Sequence, residues 1–191
     1  MISLMEIIDM AIMTLFVGYI FSDVFSRFKE PAVDVLTFRP VGPDLDALKF
    51  AALVTAPGLI MHELAHKFVA LGFGMQATFH AAYAWLFLGL ILKLLSFPFI
   101  IFVPAFVSIS GQGTPLQFSI IAFAGPAMNL ILWLGTWFAM KKKIIPKKHY
   151  KLAFLTKEIN KFLFIFNMIP IPGFDGSKVL SGLWQTIKVL L

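Results

Sequence analysis

The chain has 191 residues, 59% of them hydrophobic and 14% charged, with a formal net charge of +6. A soluble domain carries about 25% charged residues, so this composition, with a mean hydropathy of +0.87, excludes a surface that faces water all round. The lack of cysteine excludes disulfides and thiolate metal ligands, and the excess of lysine points to anionic lipid rather than to nucleic acid.

A membrane-spanning helix needs about 20 mainly apolar residues. The first candidate runs from Ile2 to Phe21, interrupted by Glu6 and Asp9 near its start. It has no basic leader and no small-residue cleavage site, so it reads as a retained helix rather than a signal peptide. A polar, proline-containing connection from Ser22 to Lys49 follows. The second helix is expected from Asp46 to Leu71. A third apolar region, Tyr83 to Ile109, is broken by Lys93, Pro98 and Pro104. Its Phe, Ile and Val favour extended structure, so it either spans or re-enters with buried strand. Helices are then expected from Pro115 to Met140, Leu152 to Ile169 and Ser177 to Leu191. The lysine-rich loop Lys141–Lys151 separates the first two, and Pro170 and Pro172 separate the last two. The expected fold is an all-α polytopic membrane protein of about five to six membrane segments, with short membrane-associated strands as an option. No repeat or second domain divides the chain, which reads as one integral-membrane domain with its core at 46–176.

The second helix carries His62, Glu63 and His66. Residues four apart share a helix face one turn apart, so the two imidazoles can meet one ion, with Glu63 about 100° away and able to reach its water. This is the H-E-x-x-H pattern of two zinc ligands and a general base. Chance produces that pattern in soluble helices too. Here the three residues lie roughly 8–14 Å of helix from its end, inside an apolar segment where ionisable groups are functional by default.

A catalytic zinc commonly takes three protein ligands and a water. His80 and His149 read as ordinary polar residues. Asp175 is the stronger third candidate, because Pro170, Pro172, Gly173 and Gly176 bend the chain tightly around it. The alternative is that Asp175 caps the last helix.

With these residues placed, the chain resembles the site-2 proteases, zinc intramembrane metalloproteases. That family carries H-E-x-x-H, matched by His62–His66, and a later N-x-x-P-x-x-x-x-D-G, matched in order and spacing by Asn167, Pro170, Asp175 and Gly176. Between them it carries A-G-P-x-x-N, matched by Ala124, Gly125, Pro126 and Asn129. The likeness covers about Asp46 to Gly176. It implies one zinc per chain held by His62, His66 and Asp175, with Glu63 as base and Asn167 near the scissile carbonyl. It also implies that Asn129, Gly125 and Pro170 line the site. Interhelical hydrogen bonds for the asparagines and close packing for Gly125 are the simpler alternatives.

The implied activity is cleavage of transmembrane segments of other membrane proteins, in a multi-pass protein of the cell membrane. Partners are then a transmembrane substrate and the bilayer, with no nucleic acid; oligomeric state is left open. The stretch Phe99 to Ser110 is the candidate strand for holding an unwound substrate, or else a kinked helix. A divalent-metal transporter and an inactive client-binding module are the competing readings. The positive-inside rule puts Lys141–Lys151 in the cytosol, whereas the family arrangement puts that loop outside.

Overall fold

In the computed structural model, which describes residues 2–26, 45–97 and 103–190, the elements follow the order α1 Leu4–Ser26, α2 Leu45–Gly72, β1 Gln76–Ala81, α3 Tyr83–Leu94, β2 Ala105–Ser110, α4 Pro115–Lys141, α5 Tyr150–Asn167 and α6 Asp175–Leu190. A 3-10 turn at Lys147–His149 leads into α5. Most of the connection expected from Ser22 to Lys49, and residues 98–102 of the third apolar region, lie outside the described residues.

Three helices are long and apolar enough to cross a membrane, at Leu4–Val24, Leu45–Gly72 and Pro115–Lys141. Among the described residues this is fewer than the five to six expected. The difference lies in two places. The third apolar region becomes the 12-residue helix α3 and the strand β2, and 12 residues reach only about 18 Å. The helices α5 and α6 carry lysines among their apolar residues, and α6 has only 16 residues, so neither is long and apolar enough to cross.

Local chemistry sets the ends of the long helices. The last turn of α2 closes on Gly74 at φ 76°. The Met75 N–H reaches the Ala70 carbonyl at 3.1 Å, and the Gly74 N–H reaches Leu71 at 3.0 Å. This is a Schellman cap, and only glycine adopts its left-handed residue without strain. It turns the chain straight into β1. At the start of α4, Thr114 and Gln117 form a reciprocal capping box, followed by Pro115 in the first turn.

The strands β1 and β2 pair antiparallel, with Gln76 opposite Ser110 and Ala81 opposite Ala105. Ala77, Phe79 and Ala81 face inward and are buried. Phe79 and Ala81 pack with Met13 and Val17 of α1 and Leu86 of α3, while Ala77 joins Ala70 and Ile121. Thus the sheet sits at the end of α2 and against α1. The helices α1 and α4 pack on α2, and α5 and α6 pack on α4. Large apolar side chains such as Leu15, Leu53, Phe68, Ile131 and Trp137 remain exposed along these three helices. In water such surface would be a liability; facing lipid it needs no cover.

A buried ion pair ties α1 to this frame. The Lys67 ammonium, in the residue after His66, bonds to Glu6 Oε1, with both side chains no more than 3% exposed. The same oxygen accepts the Phe79 N–H of β1 at 2.7 Å, and Oε2 accepts the Ser3 N–H at 2.7 Å. One carboxylate therefore joins α1, α2 and β1.

Candidate metal centre

Because α2 and α4 run antiparallel, the H-E-x-x-H turn of α2 lies against the A-G-P-x-x-N turn of α4. The α5–α6 turn brings Asp175 to the same point. His62 Nε2, His66 Nε2 and Asp175 Oδ2 form a triangle with sides of 3.1, 3.1 and 3.1 Å, and all three residues are buried. Tetrahedral zinc, with bonds of about 2.0–2.2 Å to such atoms, needs them roughly 3.3 Å apart. The triangle fits that ion.

Each imidazole is oriented from behind. His62 Nδ1 meets Asn129 Oδ1 at 2.5 Å, and His66 Nδ1 meets the Ile121 carbonyl at 2.7 Å. Both partners are oxygens that only accept, so each Nδ1 carries the proton and each Nε2 turns its lone pair to the centre. Two lone pairs and a carboxylate oxygen 3.1 Å apart repel one another unless a cation lies between them. Ligating histidines in metal sites are held in this way. Lys178 stands 3.5 Å from the other Asp175 oxygen.

The α4 motif supplies the back wall of this centre. A Cβ added at Gly125 would stand 2.6 Å from His62 Nε2 and closer still to His66 Nε2, so glycine here makes room for the two imidazole nitrogens that face the centre. Pro126 lies inside α4; having no N–H and a bulky ring, it loosens the preceding turn, next to the Ile121 carbonyl that holds His66. Asn129 is completely buried behind His62. It does not line the cavity as expected, because its Oδ1 is engaged by the imidazole and its amide nitrogen by Gly58 and Asn160.

A cavity of about 910 Å³ opens onto the centre, lined by His62, Glu63, His66, Asn167 and Asp175 together with β2. Among the described residues no hydrogen-bond partner holds the Glu63 carboxylate, which faces this space. Asn167 lines the cavity, but its Nδ2 donates to the Leu163 carbonyl one turn back at 3.0 Å. Pro170 is exposed and outside the cavity. It shapes a turn closed by Ile171 N–H to Ile169 and Phe174 N–H to Ile171, and that turn, rather than the proline ring, delivers Asp175. His80 pairs with Ser108 on the outer face of the sheet, and His149 lies in the exposed 3-10 turn; neither joins the centre.

Asn160 and the Glu6–Lys67 pair were not singled out from sequence. The pair had a signal: two opposite charges in apolar helices, each of which needs a partner at that depth.

No family model matches the chain, and no solved structure does. Two curated proteins do, both named "Putative zinc metalloprotease". One, from Methanocaldococcus jannaschii, is 34% identical over 176 residues, covering 92% of this chain and 83% of that protein. The other, from Synechocystis, is 31% identical over 136 residues, covering 70% of this chain but only 31% of a much longer protein. By its extent and identity, the likeness to the first, together with a buried His62–His66–Asp175 centre suited to zinc, shows that the chain belongs to this zinc metalloprotease family.

Proposed function

We propose that the chain is an intramembrane zinc endopeptidase of the site-2 protease type, cutting transmembrane segments of other membrane proteins. The observation that carries this is the 3.1 Å triangle of His62, His66 and Asp175, built on apolar helices with both imidazoles oriented from behind. His62, His66 and Asp175 would hold one zinc. Bound there, zinc supplies Lewis acidity, polarising a peptide carbonyl and making water acidic near neutral pH.

The protein's own groups do the rest. Glu63 takes the proton of the attacking water and returns it to the leaving amine. Its open position in the cavity, without a hydrogen-bond partner among the described residues, leaves it free to do so. Asn167 becomes a donor to the developing oxyanion once its Nδ2 swings away from Leu163.

A substrate helix hides its peptide groups in its own hydrogen-bond ladder, and it must be unwound and offered substitutes. β2 pairs with β1 along one edge, and its residues Ala105, Val107 and Ile109 border the cavity. An unwound substrate added along the other edge as a strand would find backbone partners there. The sheet supports the extended reading of Phe99 to Ser110 over its described part.

The test is cleavage of a reporter containing one transmembrane segment by the purified, zinc-loaded chain in detergent or vesicles. Glu63→Gln should keep its zinc and lose cleavage by about 10²–10⁴-fold. Cleavage undiminished in that variant removes Glu63 as the base, and zinc-loaded wild type that cuts no membrane-embedded segment contradicts the substrate class.

A further inference from the structure

Behind the metal centre, two buried amides form a chain with a single direction. Asn160 on α5 and Asn129 on α4 are both 0% exposed. At the far end, Asn160 Nδ2 donates to the Thr156 carbonyl at 2.8 Å. In the middle, Asn129 Nδ2 donates to Asn160 Oδ1 at 2.9 Å and to the Gly58 carbonyl at 3.1 Å. At the near end, Asn129 Oδ1 faces His62 Nδ1 at 2.5 Å.

A backbone carbonyl can only accept. The carbonyls of Thr156 and Gly58 therefore decide which end of each amide bears hydrogen. Asn160 must turn its oxygen to Asn129, and Asn129 must turn its oxygen to His62. The imidazole nitrogen facing that oxygen must carry the proton, which leaves the His62 lone pair at Nε2, toward Asp175 and His66.

We propose that Asn160 is a positioning residue of the metal centre: acting through Asn129, it holds His62 in the Nδ1–H tautomer that can bind a metal through Nε2. The chain also ties together three helices. Gly58 on α2 gives Asn160 its room, since a Cβ there would lie 2.9 Å from Asn160 Oδ1. The helix α5 leads directly into the turn that carries Asp175, so the contact which sets the tautomer of one ligand also anchors the helix that delivers another. An apolar residue at 160 would strip Asn129 of one of its two amide partners, leaving a buried N–H unpaired and only the Gly58 carbonyl to oppose a turn of the amide nitrogen toward His62. That tautomer would point the His62 proton, not the lone pair, at the centre.

The proposal rests on the zinc reading above, and the experiment separates the two. Metal-free protein with ¹⁵N-labelled histidine is examined by long-range ¹H–¹⁵N NMR at a pH where imidazole is neutral, and zinc affinity is measured by chelator competition. Wild type should show His62 protonated at Nδ1. Asn160→Leu should mix the two tautomers and weaken zinc binding about 10–100-fold. Asn160→Asp should restore both, because a buried carboxyl stays protonated and offers one donor and one acceptor as the amide does. His62 protonated at Nε2 in wild type overturns the proposal, and so does a folded Asn160→Leu protein with unchanged tautomer and affinity. Should Asn160→Leu fail to fold, the wild-type spectrum and Asn160→Asp decide. A wild type that binds no zinc yet keeps His62 protonated at Nδ1 would sink the zinc reading and leave the amide chain standing.

Discussion

Gly125 and His66 compete for one volume: the space a Cβ at Gly125 would take is where the Nε2 of His66 stands, and the Nε2 of His62 lies only 2.6 Å from it. The glycine of the α4 motif thus shapes the candidate metal site through the atom it lacks. Gly125→Ala should fold, since alanine is the better helix former, yet push the two imidazoles apart. Zinc affinity by chelator competition should fall by about 10-fold or more, with helix content by circular dichroism unchanged. An alanine protein that binds zinc as tightly as wild type would mean that the backbone of α4 yields at this point.

The Glu6–Lys67 pair should dominate the stability of the junction between α1, α2 and β1. Lys67→Met leaves the Glu6 carboxylate buried without its cation, and removing one partner of a buried pair costs about 3–5 kcal/mol. Thermal unfolding in detergent should shift down sharply. Glu6→Gln combined with Lys67→Met should recover much of the loss, since the amide still accepts the Phe79 N–H. Equal melting of wild type and Lys67→Met would show that the pair contributes nothing net.

The chain has no cysteine, which makes its arrangement across the bilayer directly readable. The helix α4 separates Ser110 on β2 from the loop at Lys147 by 27 helical residues, about 40 Å. Single cysteines at Ser110 and Lys147 should therefore react with an impermeant thiol reagent from opposite faces of sealed vesicles. Labelling of both from one face would contradict α4 as a span. The same experiment says which face the lysine loop occupies, where the charge rule and the arrangement implied by the site-2 resemblance disagree.

What could be read from the sequence was whatever depended on spacing along one element. His62 and His66 share a face because four residues make about one turn, and Asp175 stood out because prolines and glycines frame it. The strand pairing of β2 was open, since a Phe, Ile and Val run suits a buried helix or a strand equally. Partners that meet only in the folded chain were not readable. The roles of Gly125 and Asn129 became specific only when α4 lay antiparallel to α2. Asn160 is an unremarkable polar residue until three helices close around it. Pro170 was expected in the site because it sits in the motif, but its place is in the exposed turn that aims Asp175.

Removing metal should loosen the site more than the fold. With chelator, the two Nε2 atoms and the Asp175 oxygen lose the ion that offsets their repulsion. Hydrogen exchange should therefore rise first in the α5–α6 turn, which carries Asp175, the proposed ligand that lies outside α2. Ligand binding stabilises by mass action, by about 2.7 kcal/mol at 100 times the dissociation constant, so added zinc should raise the melting temperature of wild type and not of His66→Ala. Equal exchange in the turn with and without zinc would argue that Asp175 is no ligand.

The central claim is that two segments more than a hundred residues apart build one zinc site. The most direct measurement is zinc per purified chain, by elemental analysis, in wild type and in Asp175→Ala. One zinc in wild type, lost or easily stripped in the variant, is the predicted result. A folded wild type with no zinc after equilibration with the metal, or an Asp175→Ala protein that holds it as firmly as wild type, would contradict the account.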